Sequence, residues 1–242
     1  DGTQGTIDMG AYEYKKGTDP AEAEFHRYFV KSDAAGLDNG SSWQNAFTSL
    51  QDALTVAVRN NEIWVAAGTY KPTTGTDRNA SFHLRSDLAV YGGFNGTETL
   101  LSQRNWQTNI TILSGDLNND DAVTGTGESL SIANNTENSY HVIHNSGVNS
   151  GAILDGFIIQ GGNADNNTNG GGIWNESSSP GIANCIFTGN QAYNGGAIYN
   201  ITSSPVITGC TLNENIGNNE GGGISNNSSS PQITNCTFSG NK

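Results

Sequence analysis

The chain has 242 residues, 32 of them glycine, with 14% charged side chains and a formal net charge of −13. No lysine or arginine lies between Asn105 and Asn241, against 10 acidic residues in the same span. This half therefore lacks the cations that nucleic acid or an anionic membrane surface requires. No apolar run reaches transmembrane length and no basic-then-apolar signal peptide is visible, so a composition rich in Asn, Gly, Ser and Thr places the protein outside the cell or at its surface.

Residues 1–14, "DGTQGTIDMGAYEY", stand apart from the rest of the chain, separated by an acidic, Lys-flanked linker over 15–27. In "SSWQNAFTSLQDALTVAV", Trp43, Phe47, Leu50, Leu54 and Val58 fall at steps of four, three, four and four. That spacing predicts an amphipathic helix over 42–59 with Ser41 or Ser42 as N-cap, placed to plug the end of a stacked repeat. Irregular coils follow over 60–140. Their strand candidates are 62–70, 81–84, 88–94 and 110–115, joined by polar loops, and 139–145 is a further one.

The longest polar loop is 116–138. Its "DLNNDDAVTGTGE" puts Asp116, Asn118 and Asp120 at alternate positions, as calcium loops do. The sixth position is Asp121 where glycine is expected, and the acidic twelfth ligand falls late, at Glu128. A calcium site and a solvated acidic loop both fit. His141 and His144 are expected on opposite faces of one strand, a poor metal pair.

Over 141–242 the chain repeats itself. Ile173, Ile198 and Ile224 correspond, as do Asn175, Asn200 and Asn226; Pro180, Pro205 and Pro231; Cys185, Cys210 and Cys236; and Asn190, Asn215 and Asn241, at steps of 25 and then 26 residues. A fixed period of this length is a stacked repeat. Period-two apolar alternation within it means short strands. The fold class is therefore all-β: a right-handed parallel β-helix of about 25 residues per coil, with adjacent coils ~4.8 Å apart, behind an N-terminal capping α-helix. Asn184, Gly209 and Asn235 precede the cysteines and read as left-handed corners. "LDGFIIQGGN" (154–163) is a degraded earlier copy in which Phe157 fills the cysteine slot, so that slot is core.

The cysteines match no zinc spacing, and parallel Cβ vectors at the coil spacing suit free buried thiols better than disulfides. The asparagine columns read as amides bonded along the stack, with a ligand row as the alternative. Trp174 and Tyr199 are expected outward in one file, either holding a sugar ring or simply packing along adjacent strands.

The motifs "SSWQNAFTSLQDAL", "IWVAAGTYKP", "YGGFNGTE", "ILSGDL", "LDGFIIQGGNA" and "GGGI…SSSP.I.NC.F.GN" resemble the right-handed β-helix, pectin-lyase-like surface proteins with polymorphic outer-membrane-type repeats, over residues 28–242. The resemblance implies a large secreted or cell-surface protein. Against it, 1–14 looks like a closing segment that comes first, with Ile7, Met9, Ala11 and Tyr12 able to cover an open coil. Copies joined head-to-tail, in a tandem array or a filament, are one explanation; a segment cut at that boundary is another. The catalytic motifs of the family's lyases and polygalacturonases are absent, and Asp155 and Asp165 are the nearest approach to a carboxylate pair. The expected function is a non-enzymatic structural or adhesive β-helix, with copies of itself and glycans as partners. The alternative is carbohydrate binding or polysaccharide degradation.

Overall fold

The computed structural model describes residues 25–164 and 168–242. Strands stack in parallel into a β-solenoid of about 6 turns. The closing segment with Ile7, Met9, Ala11 and Tyr12, most of the linker, and Asp165 lie outside the described residues.

Two long faces run along the stack, joined over the later coils by a third face of four strands and a short fourth. The first face is ordered Arg27–Val30, Glu62–Ala66, Ala89–Phe94, Ile153–Asp155, Gly181–Ala183, Val206–Thr208 and Gln232–Thr234. The second runs from Gly68–Tyr70 through Thr111–Ser114, Ile158–Gln160, Ile186–Thr188 and Thr211–Asn213 to Thr237–Ser239. The third holds Ile143–Ser146, Ile173–Glu176, Ile198–Ile201 and Ile224–Asn227. A short fourth face, Asn163–Ala164, Gln191–Asn194 and Ile216–Glu220, links the second to the third.

The register follows the repeat. Ile143, Ile173, Ile198 and Ile224 form one file, and Leu154, Ile182, Ile207 and Ile233 another. Ile159 pairs with Phe187 as the degraded copy requires. The buried members of these columns, Ile143, Ile173, Ile198, Leu154, Ile182, Ile207, Ile159 and Phe187, join Phe157, Cys185 and Cys210 in a single apolar core against which Ile224 packs.

The chain turns at left-handed residues that recur in every regular coil. Asn184, Gly209 and Asn235 have φ of 51°, 64° and 53°, the corner expected before each cysteine. Three more corners per coil emerge: Gly189 and Glu214 (φ 62° and 54°), Gly195 and Gly221 (65° and 60°), and Thr202 and Ser228 (52° and 51°). At Gly195 a side chain would collide with the Ile198 carbonyl, so this corner accepts only glycine.

Buried polar side chains bond along the stack. Asn145 Nδ2 donates to Asn175 Oδ1, Asn175 to Asn200 and Asn200 to Asn226, each at 2.9 Å. Asn190 donates to Asn215 and Asn215 to Asn241, both at 3.0 Å. A serine ladder joins them: Ser178 and Ser203 backbone amides donate to Ser203 Oγ and Ser229 Oγ, at 2.9 Å. Cys185, Cys210 and Cys236 are free, with the Cys185 and Cys210 amides each 3.4 Å from the next thiol sulfur.

The N-terminal region departs from the expected pattern. The first strand is Arg27–Val30, and the helix spans Leu50–Val56, not 42–59, capped by Ser49. Its predicted first turns belong to the sheet edge instead. The Phe47 amide donates to the Phe29 carbonyl at 2.9 Å, and Trp43 packs against Phe29 and Phe94, its Nε1 donating to the Glu98 carbonyl. Val58 is 44% exposed. The short helix still buries Leu50, Ala53 and Leu54 against the core. Loop 116–138 also holds an antiparallel hairpin, Ala122–Thr124 with Ser131–Ala133.

Replacing Asn200 by Ala strands both Asn175 Nδ2 and Asn226 Oδ1, so urea denaturation should show a loss of about 2–4 kcal/mol. Val206→Ala, at an exposed position, should change stability by less than ~0.5 kcal/mol. Equal losses would contradict a buried amide ladder. Cys185 and Cys210 should react with a thiol reagent only after denaturation, since both are 1% exposed and burial pushes the Cys185 thiol up.

Candidate functional site

Two constellations of chemically capable side chains lie outside the core. The first is built on the outer side of the third face. Parallel register puts His144 beside Trp174 and Trp174 beside Tyr199. The His144 and Trp174 rings stack with centroids 4.5 Å apart and planes 9° apart. His141 lies 4.9 Å from Trp174 and 5.7 Å from His144, and exposed His83 is 5.7 Å from His144.

His141 and His144 are thus neighbours, not residues of opposite faces. The strand is Ile143–Ser146, so His141 precedes it and its backbone is free to swing the ring over Trp174. Its Nδ1 meets the Gly170 carbonyl at 2.9 Å. Tyr199 occupies the expected file but is only 6% exposed. The Gly195 corner folds against it, a β carbon there lying 3.0 Å from the Tyr199 Cα. Half-buried Trp174 is the member of the expected pair that a ligand can reach.

Burial pushes His141 down to about 4 from an ordinary 6.5, helped by His144 and opposed by the Gly170 carbonyl. Burial also lowers His144, with Glu176 opposing at 4.0 Å. Between the two His141 values the unfolded chain takes up a proton that the folded chain refuses, so stability falls as pH drops from about 6.5 to about 4. The contribution is at most about 3 kcal/mol. His141→Phe keeps the ring packing and should flatten the melting-temperature profile across this window; an unchanged profile would contradict the assignment.

The second constellation sits where the strand Thr111–Ser114 leaves the second face. Asp116 Oδ1 accepts the backbone amides of Asn118, Asn119 and Asp120, and its Oδ2 accepts that of Asp121. The loop therefore wraps around Asp116. Carboxylate oxygens of Asp116, Asp120, Asp121 and Glu137 all come within 4.8 Å of one another. Asn118 contributes its backbone amide to Asp116.

Asp121 and Glu137 were not among the predicted residues. The exposed hairpin between them returns the chain, and Asn134 Nδ2 ties back to the Asp120 carbonyl at 3.0 Å. Asp121 is pushed up to about 7, first by burial and then by Asp116, Glu137 and Asp120, while Asn138 Nδ2 opposes at 2.8 Å. Asp116 and Asp121 line a cleft of about 130 Å³ with Val123, Gln160, Gly161, Thr188 and Gly189.

Asp155, one of the two carboxylates that come nearest to a pair in the sequence, is held by Arg104 at 2.6 Å and by Asn184 Nδ2 at 2.9 Å. No protein-family model matches the chain, and no curated protein or solved structure matches it.

Proposed function

We propose that the chain is a non-enzymatic extracellular scaffold of the pectin-lyase-like surface type, which holds an adhesive surface rigidly. The observation that carries this reading is the run of unbroken columns through the regular coils, apolar inside and bonded through buried asparagine and serine at the bends. Such columns couple each coil to the next and make a stiff rod.

The adhesive part rests on the outer aromatic file. A flat indole stacked on an imidazole, flanked by His141 and His83, offers a face on which a sugar ring can stack. Glycan-array binding that is lost in Trp174→Ala, with the melting temperature held within a few degrees, supports adhesion. Equal binding by wild type and variant contradicts it.

Head-to-tail association is the structural part. Ile233 and Phe238 are 40% and 47% exposed, whereas Ile207 and Leu212 beneath them in the same columns are fully buried. The sequence segment with Ile7, Met9, Ala11 and Tyr12 is the proposed cover for such a face. In sedimentation and electron microscopy, end-to-end assembly should rise with concentration and disappear when residues 1–14 are removed. Monomers at every concentration that release oligosaccharides from an anionic polysaccharide would favour the degradative alternative.

A further inference from the structure

The acidic loop carries an inference that does not depend on adhesion or assembly. Four carboxylates crowd together at the root of the hairpin. Lys71 reaches this loop and donates to the Leu117 carbonyl at 2.8 Å. An independent sign comes from Asn138, which is 1% exposed. Its carboxamide is aimed at the cluster, with Nδ2 on Asp121 Oδ2 at 2.8 Å, yet its buried Oδ1 has no hydrogen-bond partner. Asp121 Oδ1 and Glu137 Oε1 are likewise buried and unpartnered. Oxygen acceptors without donors are costly in a folded protein, and a cation is the species that satisfies them together.

We propose that Asp116, Asp120, Asp121 and Glu137, with Asn138 Oδ1, form a calcium site that clamps the hairpin along the side of the solenoid. The donors are all oxygen, without histidine or thiol, which selects a hard cation. Ca2+ binds oxygens at about 2.3–2.6 Å, so two ligands on opposite sides of it lie ~4.6–5.2 Å apart. The cluster's oxygens lie within 4.8 Å of one another, close enough for one such cation to bridge them.

The hairpin gives the site its consequence. It runs past successive coils at the corner between the second and fourth faces. The Gly161 corner abuts Asp116 and Asp121, the Gly189 corner abuts Val123, and the Gly240 corner abuts Thr126. Gly127 donates to the Gly240 carbonyl at 2.9 Å, and Asn135 Nδ2 to Gln191 Oε1 at 3.0 Å. A cation at the root therefore fastens a strap that reaches the coil of Gly240.

The test is calcium binding by calorimetry on the full chain, with hydrogen exchange read across 117–138. Wild type should take up about one Ca2+ per chain, raise its melting temperature and gain protection in this segment. Asp120→Asn, at an exposed position, and Glu137→Gln should each weaken Ca2+ binding at least tenfold and abolish the added protection. Glu220→Gln, exposed at the end of the strand Ile216–Glu220, should behave as wild type and controls for general attraction to an acidic protein. No saturable uptake at about 10 mM Ca2+, above the ~10⁻³ M range of weak extracellular modules, would overturn the proposal. So would uptake that Asp120→Asn and Glu137→Gln leave unchanged.

Discussion

Every regular coil must turn through the same left-handed corners at the same heights, and the rest of the molecule depends on that. A parallel stack keeps its register only if each coil closes on the coil below with the same number of residues per face. The insertion of one residue before Gly221 is absorbed as a bulge between Gln191–Asn194 and Ile216–Glu220, where no core column passes. At the corners local preference yields to the stack. Thr202 is β-branched and Glu214 carries a long side chain, yet both sit at φ near 50°, a conformation that costs a non-glycine residue roughly 1–2 kcal/mol.

The stack repays that strain through the polar groups it pairs. Corners free backbone amides and carbonyls that a buried position cannot leave unmade. Asn190 Nδ2 shares its two hydrogens among the Ile159 and Thr188 carbonyls and the next asparagine, Ser203 Oγ shares its one hydrogen between the Asn175 and Ile201 carbonyls, and the asparagine geometry recurs at Asn215. Each ladder side chain therefore serves its own coil and its neighbours. The repeat has to be written again in every coil because one wrong residue strands groups in two others. The core columns and the ladders at the bends leave the outer aromatic file and the 116–138 segment outside their constraint.

The regular coils were legible because their constraints are local and repeated. The 25-residue step, the apolar alternation and the Asn or Gly before each cysteine each encode one contact. Single occurrences were harder to read. Trp43 and Phe47 have helical spacing, but their place is decided by Phe29 and Phe94, an aromatic cluster on the outside of the first face that includes Trp64. The hairpin is exposed on both sides and shows no apolar alternation. Loop spacing points to Asp116 and Asp120, whereas Asp121 and Glu137 meet only because that hairpin folds back. The serine ladder is written in the repeated "SSSP", but its partners are backbone amides, which no side-chain pattern reveals.

Register is the quantity to measure. With Cys185, Cys210 and Cys236 replaced by Ala, spin labels at Thr208→Cys and Thr234→Cys report on two outward positions 26 residues apart in sequence and directly paired between coils. Their backbones should lie ~4.8 Å apart, which predicts strong dipolar broadening in the native protein that vanishes on denaturation. Sharp, isolated-spin spectra from a folded, β-rich sample would contradict the stacked-coil account.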